Sequence, residues 1–158
     1  MKLLVVRHGE AEPMVCDDAS RSLTDRGKAQ VSELWYQLHD KGVQVSRIVA
    51  SPFLRTQQTA GLIVEHYAGL AIETSGVLLS EADPQAVLDW LQQQPQEDGL
   101  VLVSHMPLVG ILVGLLTEGA SARLPFVPGM VACLDIDVAA VNGGRLRWSI
   151  SPETGVVK

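Results

Sequence analysis

The chain has 158 residues, of which 47% are hydrophobic, a size and composition that suit one domain with a buried core. Its 18 acidic and 12 basic residues give a formal net charge of −6, which argues against a nucleic-acid partner because phosphate backbones require a basic surface. The apolar runs are too short for a signal peptide or for the roughly 20 residues of a membrane span. Two cysteines make neither a disulfide framework nor a zinc site. We therefore predict a single domain over 1–158, located in the cytoplasm and without a membrane partner.

Strand-like and helix-like segments alternate along the chain. In chain order, the patterns predict a strand at Leu3–Val6, a helix at Thr24–Lys41, a strand at Ser46–Ser51, helices at Pro52–Tyr67 and Pro84–Gln94, a strand at Leu100–Ser104, a helix after Pro107, and strands at Met130–Ile136 and Arg145–Ile150. This alternation predicts an α/β three-layer sandwich, with a mostly parallel sheet covered by helices on both faces. The last two strands, joined through Asn142-Gly143-Gly144, are predicted to form a hairpin.

Basic side chains follow three of the predicted strands. The first strand ends in Arg7-His8, the second leads into a helix with Arg55 in its first turn, and the third ends at His105. Because the carboxyl ends of parallel strands meet at one edge of a sheet, we expect these four residues, here called the quartet, to converge there. Two helix N-termini should lie beside them. Such a concentrated positive field suits a phosphoryl group.

Each member of the quartet also has an ordinary structural explanation. The strand-end pair is consistent with a buried strand that reaches the surface, Arg55 with an exposed helix residue, and His105 with a structural histidine. A metal site could be built from His8, His105, Glu10 and Glu12. Nearby arginines would repel a cation, which disfavours that site. The combination of all four residues at one sheet edge favours the phosphoryl site.

Four stretches of the chain resemble a known family. RHGE at 7–10, LTDRG at 23–27, SPFLRTQQTA at 51–60 and VSHMPLV at 103–109 occur in the order typical of the histidine phosphatase superfamily, also called phosphoglycerate mutase-like. With the closing WSISP they span nearly the whole chain. RHG alone is a weak signal, whereas four stretches in this order are specific. The short length and the stretches RHGEAEP and SHMPLVG most resemble the phosphohistidine phosphatases of that superfamily.

The resemblance implies a metal-independent phosphatase that uses no cofactor. It implies that His8 is the nucleophile and forms a phosphohistidine intermediate, which water then hydrolyses. Arg7 and Arg55 would hold the phosphoryl oxygens, His105 would donate to the transition state, and Arg21 would line the pocket. The chemistry agrees, because imidazole attacks phosphorus only when neutral. We expect the neighbouring cations and His105 to lower the pKa of His8.

The substrate depends on the leaving group. An alkoxide from a sugar or serine phosphate requires a general acid, and mutase-like members of the superfamily use a glutamate between the arginine helix and the second histidine. The match here is Glu81, which is equally explained as an ordinary acid before the helix at Pro84. A phosphohistidine substrate expels an imidazole, which needs this proton donor far less. The chain between Arg55 and His105 also leaves no room for a helical lid, which predicts an open pocket.

We therefore predict an enzyme that removes phosphoryl groups from histidine in signalling or phosphocarrier proteins. A small-molecule phosphomonoesterase of the same superfamily is the alternative, and dependence on Glu81 would distinguish it. A phosphoryl-binding module without catalysis is a third hypothesis. The quartet argues against it, because a binding module has no need of a nucleophile at a strand end.

Overall fold

Alternating strands and helices build the fold, which a computed structural model describes for residues 1–14 and 16–152. The strands are β1 Lys2–Arg7, β2 Arg47–Ala50, β3 Ile72–Thr74, β4 Leu100–Ser104, β5 Val131–Ile136 and β6 Gly144–Ile150. The helices are α1 Asp25–Asp40, α2 Leu54–Val64, α3 Pro84–Gln92 and α4 Leu108–Thr117, with a short 3₁₀ helix at Gly76–Leu78. The end of the predicted domain, 153–158, lies outside the described residues.

The strands form one sheet in the order β3-β2-β4-β1-β5-β6. The first four are parallel, whereas β5 runs antiparallel to both of its neighbours. This arrangement confirms the predicted mostly parallel sheet and the closing hairpin of β5 and β6. Strand β3 is an edge strand to which the sequence patterns assigned no bounds.

Helices pack on both faces of the sheet, as predicted for a three-layer sandwich. Successive residues of a strand point to opposite faces. Accordingly, Leu3 and Val5 of β1 belong to a core shared with α3 and α4. Leu4 and Val6 belong to a second core with α1 and α2, where Trp35 is fully buried. Strand β4 is buried along its whole length, as expected for a central parallel strand covered on both sides.

The start of α1 is fixed against the chain that leaves β1. Thr24 caps the helix, since its side-chain oxygen accepts a hydrogen bond from the Gly27 backbone N at 2.8 Å. The Thr24 backbone N donates to the Glu10 carbonyl at 2.9 Å. A Cβ on Gly27 would lie only 2.2 Å from that same carbonyl oxygen. Only glycine therefore lets the first turn of α1 approach the strand end this closely.

The segment between α2 and β4 is short. It contains β3, the 3₁₀ helix and α3, and α3 buries Val87, Leu88 and Leu91 in the core. Over 65–99, all of which the structure describes, no further helix covers the sheet edge, as predicted. In the described part of the chain, every helix is too short or too polar to cross a membrane.

Candidate active site

The carboxyl ends of neighbouring strands bring the quartet together. Arg7 ends β1 and His8 follows it, while His105 follows β4, the strand paired with β1. Arg55 lies in the first turn of α2, which begins after β2. The ring centroids of His8 and His105 are 5.4 Å apart, and Arg55 Nε lies 3.3 Å from His8 Nε2. The predicted convergence at one sheet edge is present in the structure.

Neighbouring groups determine the roles of the two His8 ring nitrogens. Nδ1 lies 2.7 Å from the Gly9 carbonyl oxygen. A carbonyl oxygen only accepts hydrogen bonds, so Nδ1 carries the proton and Nε2 of the neutral ring keeps a lone pair. Arg55 Nε donates to that lone pair. His8 Nε2 therefore keeps a lone pair that is free to attack an electrophile, and it lies beside the guanidinium group of Arg55.

The pKa of His8 is lowered from 6.5 to about 4, mainly by burial. The hydrogen bond to Gly9 opposes this shift, while the charges of Arg55, Arg7 and Arg21 add to it. The predicted direction is correct, but the largest cause is one that the sequence did not reveal. The interpretation of a strand reaching the surface is wrong for His8, which is only 7% exposed. The ring is uncharged near neutral pH.

Two buried nitrogens near His8 have no hydrogen-bond partner among residues 1–14 and 16–152. They are Arg7 Nε and His105 Nδ1. Buried polar atoms are almost always hydrogen-bonded, so unpaired nitrogens at a strand-end site indicate a place for a ligand rich in acceptor oxygens. Arg7 Nη1 already donates to the Phe126 carbonyl at 2.7 Å, which holds the guanidinium in place. A tetrahedral phosphoryl group matches these requirements.

His105 is 1% exposed, and burial followed by the charge of His8 lowers its pKa to about 3. Its Nε2 lies 2.6 Å from the Ser51 hydroxyl oxygen. When Ser51 donates to Nε2, the ring proton lies on Nδ1, the nitrogen that has no partner in the described structure. The neutral ring can then donate to a phosphoryl oxygen.

Arg55 is 4% exposed, so the interpretation as an exposed helix residue is wrong. Its two terminal nitrogens contact Asp18: Nη1 donates to the main-chain oxygen at 2.7 Å and Nη2 to Oδ2 at 3.1 Å. Sequence analysis singled out neither Asp18 nor Ser51. Ser51 could have been found, because it directly follows β2 at the edge where the quartet meets. For Asp18, separated from Arg55 by 37 positions, the sequence carries no comparable signal.

The two remaining predicted site residues differ in their surroundings. Arg21 Nη1 donates to Asp18 Oδ1 at 3.0 Å, and Arg21 is close enough to lower the pKa of His8. Glu81 lies exposed in the turn before α3. Among the described residues, no hydrogen bond or ion pair connects its carboxylate to the quartet.

The residues of the alternative metal site are not arranged as ligands. The Glu10 carboxylate accepts a hydrogen bond from the Thr24 hydroxyl at 2.7 Å and lies 3.6 Å from Arg26 Nη1. Glu12 is exposed. Within 1–14 and 16–152, no three His, Cys, Asp or Glu side chains form a group that could hold a metal ion.

Comparison with known proteins identifies the family. Residues 3–78 match the model of the histidine phosphatase superfamily (branch 1). The phosphohistidine phosphatase SixA of Escherichia coli (strain K12) is 30% identical in an alignment that covers 96% of this chain and 94% of the relative. The chain therefore belongs to the histidine phosphatase superfamily, as predicted.

Two further comparisons point to the same relatives. The phosphohistidine phosphatase SixA homolog of Haemophilus influenzae is 30% identical in an alignment that covers 85% of this chain and 87% of the homolog. A solved structure of the protein histidine phosphatase SixA complexed with tungstate superposes with a TM-score of 0.88 at 28% identity. That superposition covers 96% of this chain and 97% of the other.

Proposed function

We propose that this chain is a phosphohistidine phosphatase, which removes the phosphoryl group from a histidine of a phosphotransfer protein. The observation that carries the proposal is the hydrogen bonding of the His8 ring. Its Nδ1 donates to the Gly9 carbonyl oxygen, and its Nε2 lone pair accepts a hydrogen bond from Arg55. The similarity to SixA over nearly the whole chain supports phosphohistidine as the substrate.

The proposed reaction has two steps, each of which moves the phosphoryl group once. First, His8 Nε2 attacks phosphorus; a P–N bond to His8 forms, the P–N bond to the substrate imidazole breaks, and that imidazole takes a proton from solvent. Second, water attacks phosphorus and loses a proton, the bond to His8 breaks, and inorganic phosphate leaves. Arg7 and Arg55 hold the phosphoryl oxygens in both steps, and His105 donates from Nδ1 to the developing charge.

The proposal includes metal independence and an open site. Two guanidinium groups and a ring N–H supply the positive field that a metal ion supplies in other phosphatases. Because no helical lid covers the described sheet edge, a side chain projecting from a protein can reach His8. Cytoplasmic location is also proposed, since Cys16 and Cys133 are both free thiols, as is usual in a reducing compartment.

A substrate panel tests the proposal. We expect phosphate release from a histidine-phosphorylated phosphocarrier protein, unchanged by a chelator, and little release from sugar phosphates or phosphoserine. The wild type should carry an acid-labile phosphoryl label during turnover, and His8→Ala should carry none and be inactive. His39→Ala, which removes an exposed histidine of α1, is the matched control and should retain the label.

Three outcomes would contradict the proposal. Full activity of His8→Ala would exclude the covalent route. Loss of activity with chelator, restored by a metal ion, would exclude metal independence. Rapid turnover of sugar phosphates with slow turnover of phosphohistidine would favour the phosphomonoesterase instead. Circular dichroism of His8→Ala is needed as a folding control, because His8 is buried.

A further inference from the structure

The guanidinium group of Arg55 has two edges that can each bind a pair of acceptors. The outer edge lies between the terminal nitrogens Nη1 and Nη2, and the inner edge lies between Nε and the adjacent Nη2. Asp18 occupies the outer edge, because its main-chain oxygen binds Nη1 at 2.7 Å and its Oδ2 binds Nη2 at 3.1 Å. The inner edge faces His8, where Nε lies 3.3 Å from Nε2. Asp18 thus occupies the outer edge of Arg55, and the inner edge remains available to a group bound at His8.

The loop that carries Asp18 is attached to α2 at several points. Asp18 Oδ1 accepts a hydrogen bond from Arg21 Nη1 at 3.0 Å. The backbone N of Leu54 donates to the Ala19 carbonyl at 2.9 Å, which ties the same loop to the first residue of α2. The Asp18 carboxylate therefore bridges two guanidinium groups while its neighbour is bound to the helix that carries Arg55.

A carboxylate at this position also balances charge. Arg55 is buried, and the charges of Arg7, Arg21 and Arg55 all lie close enough to lower the pKa of His8. Without a counter-charge, a buried guanidinium group among like charges is costly. Hydrogen bonding to Arg21 and then to Arg55 holds the pKa of Asp18 below its usual value, so the carboxylate is ionised at neutral pH.

We infer that Asp18 is a positioning residue, which binds the outer edge of Arg55 and so keeps the inner edge directed at His8 and the phosphoryl group. The inference rests on the proposed function. A phosphoryl group on His8 Nε2 meets the inner edge, so its binding does not require Asp18 to leave. Asp18 contributes to catalysis through Arg55 and does not touch the reacting atoms.

Three variants test the inference by steady-state kinetics with a phosphohistidine protein. Asp18→Ala should lower kcat about 10- to 100-fold with less than a threefold change in KM, a smaller loss than the roughly 10²- to 10³-fold expected for Arg55→Ala. Asp18→Asn keeps an acceptor oxygen for Nη2 and should stay within about tenfold of wild type. Asp17→Asn is the matched control: its carboxylate binds only Ser20 among the described residues, at 2.8 Å, and it should change kcat by less than twofold.

A double-mutant cycle separates positioning from a general effect on the loop. Because Asp18 acts through Arg55, adding Asp18→Ala to Arg55→Ala should change kcat by less than twofold. If Asp18→Ala retained kcat within twofold of wild type, or if its loss persisted undiminished in the Arg55→Ala background, the inference would be overturned. An equal loss in Asp17→Asn would likewise overturn it, because charge alone would then be the cause.

Nuclear magnetic resonance provides a readout that does not depend on activity. The Arg55 Nε–H resonance should be resolved and slow to exchange in wild type and Asp18→Asn, and broadened or lost in Asp18→Ala. Unchanged exchange in Asp18→Ala contradicts the inference even when the enzyme is inactive. If the wild type fails to hydrolyse phosphohistidine but shows these exchange differences, the proposed function fails and the positioning role stands.

Discussion

The His8 side chain combines two properties that oppose each other in water. A nucleophilic imidazole must be neutral, whereas a binding site for a phosphoryl group must be cationic. Burial removes the solvent that stabilises an imidazolium ion, and the neighbouring guanidinium charges disfavour it further. In the proposed function, the same guanidinium groups attract the phosphoryl oxygens. In the proposed mechanism, one electrostatic environment therefore keeps the nucleophile neutral and binds the group that it attacks.

This environment predicts how stability depends on pH. The pKa of His8 is 6.5 when unperturbed and about 4 in the folded chain, so between these values the unfolded state binds more protons. The free energy of unfolding should therefore fall as the pH drops from about 6.5 to about 4. Urea unfolding at a series of pH values measures this fall, which should be smaller in His8→Ala.

A direct titration of His8 checks whether its lowered pKa causes this pH dependence. The His8 Cε1–H resonance, assigned by its loss in His8→Ala, should titrate near pH 4 in the free protein. Saturating inorganic phosphate should raise the midpoint, because a bound dianion favours the imidazolium ion. A midpoint near 6.5 in the free protein would contradict the environment described here.

The sequence predicted the positions of the quartet because strand ends and helix starts can be read from local patterns. Its members lie within one or two residues of an element boundary, as His105 does directly after β4. Asp18 could not be predicted in this way. It lies in an irregular loop, and its contact with Arg55 depends on how that loop folds over the start of α2.

At the scale of secondary structure, close backbone contact joins α1 to the strand end that carries His8. Gly27→Ala should lower the free energy of unfolding by about 1–3 kcal/mol, because the new Cβ meets the Glu10 carbonyl and the backbone must move. Activity should also fall, since Glu10 follows His8, the proposed nucleophile, by two residues. Thermal and urea unfolding measure the first effect, and phosphohistidine hydrolysis measures the second.

Gly61→Ala is the matched control for this substitution. Gly61 lies in α2, and its Cβ would meet nothing within 4 Å. Alanine favours a helix more than glycine does, so this variant should gain about 0.5–1 kcal/mol of stability. If the two variants showed the same change in stability, the contact between α1 and Glu10 would not be the cause.

Two elements show where local patterns were insufficient. Strand β3 has only three residues, two of them exposed, so it lacks the apolar alternation that identifies a strand. Helix α2 was predicted to continue to Tyr67 but ends at Val64. The buried Tyr67 extends the apolar pattern, yet its backbone N donates to Val64 three positions back, as in a turn rather than an α-helix.

For the molecule as a whole, the exposed position of Glu81 outside the quartet leads us to expect little general acid catalysis of leaving-group departure. Glu81→Gln should slow phosphohistidine hydrolysis by less than about tenfold, because a departing imidazole needs little help from a general acid. The same change would cost roughly 10²- to 10⁴-fold for an alkoxide. Rates on a phosphohistidine protein and on sugar phosphates measure the difference.

The exposed Glu65 after α2 provides the control, and Glu65→Gln should leave both rates unchanged. A loss of 10²-fold or more on phosphohistidine in Glu81→Gln would assign a general acid to the enzyme. Activated aryl phosphates are unsuitable for this comparison, because their leaving groups need no proton.

The reversed direction of β5 brings an incoming segment, 118–130, to the edge where the parallel strands end. That segment contacts the site through backbone atoms: Phe126 O accepts from Arg7 Nη1, Met130 O accepts from the Arg7 backbone N, and Gly129 N donates to His8 O. These contacts do not involve the exposed side chains of the segment, whereas Phe126 is buried in the core and Gly129 has a positive φ of 80°. Replacing the exposed Val127 should therefore leave the backbone contacts to Arg7 and His8 in place.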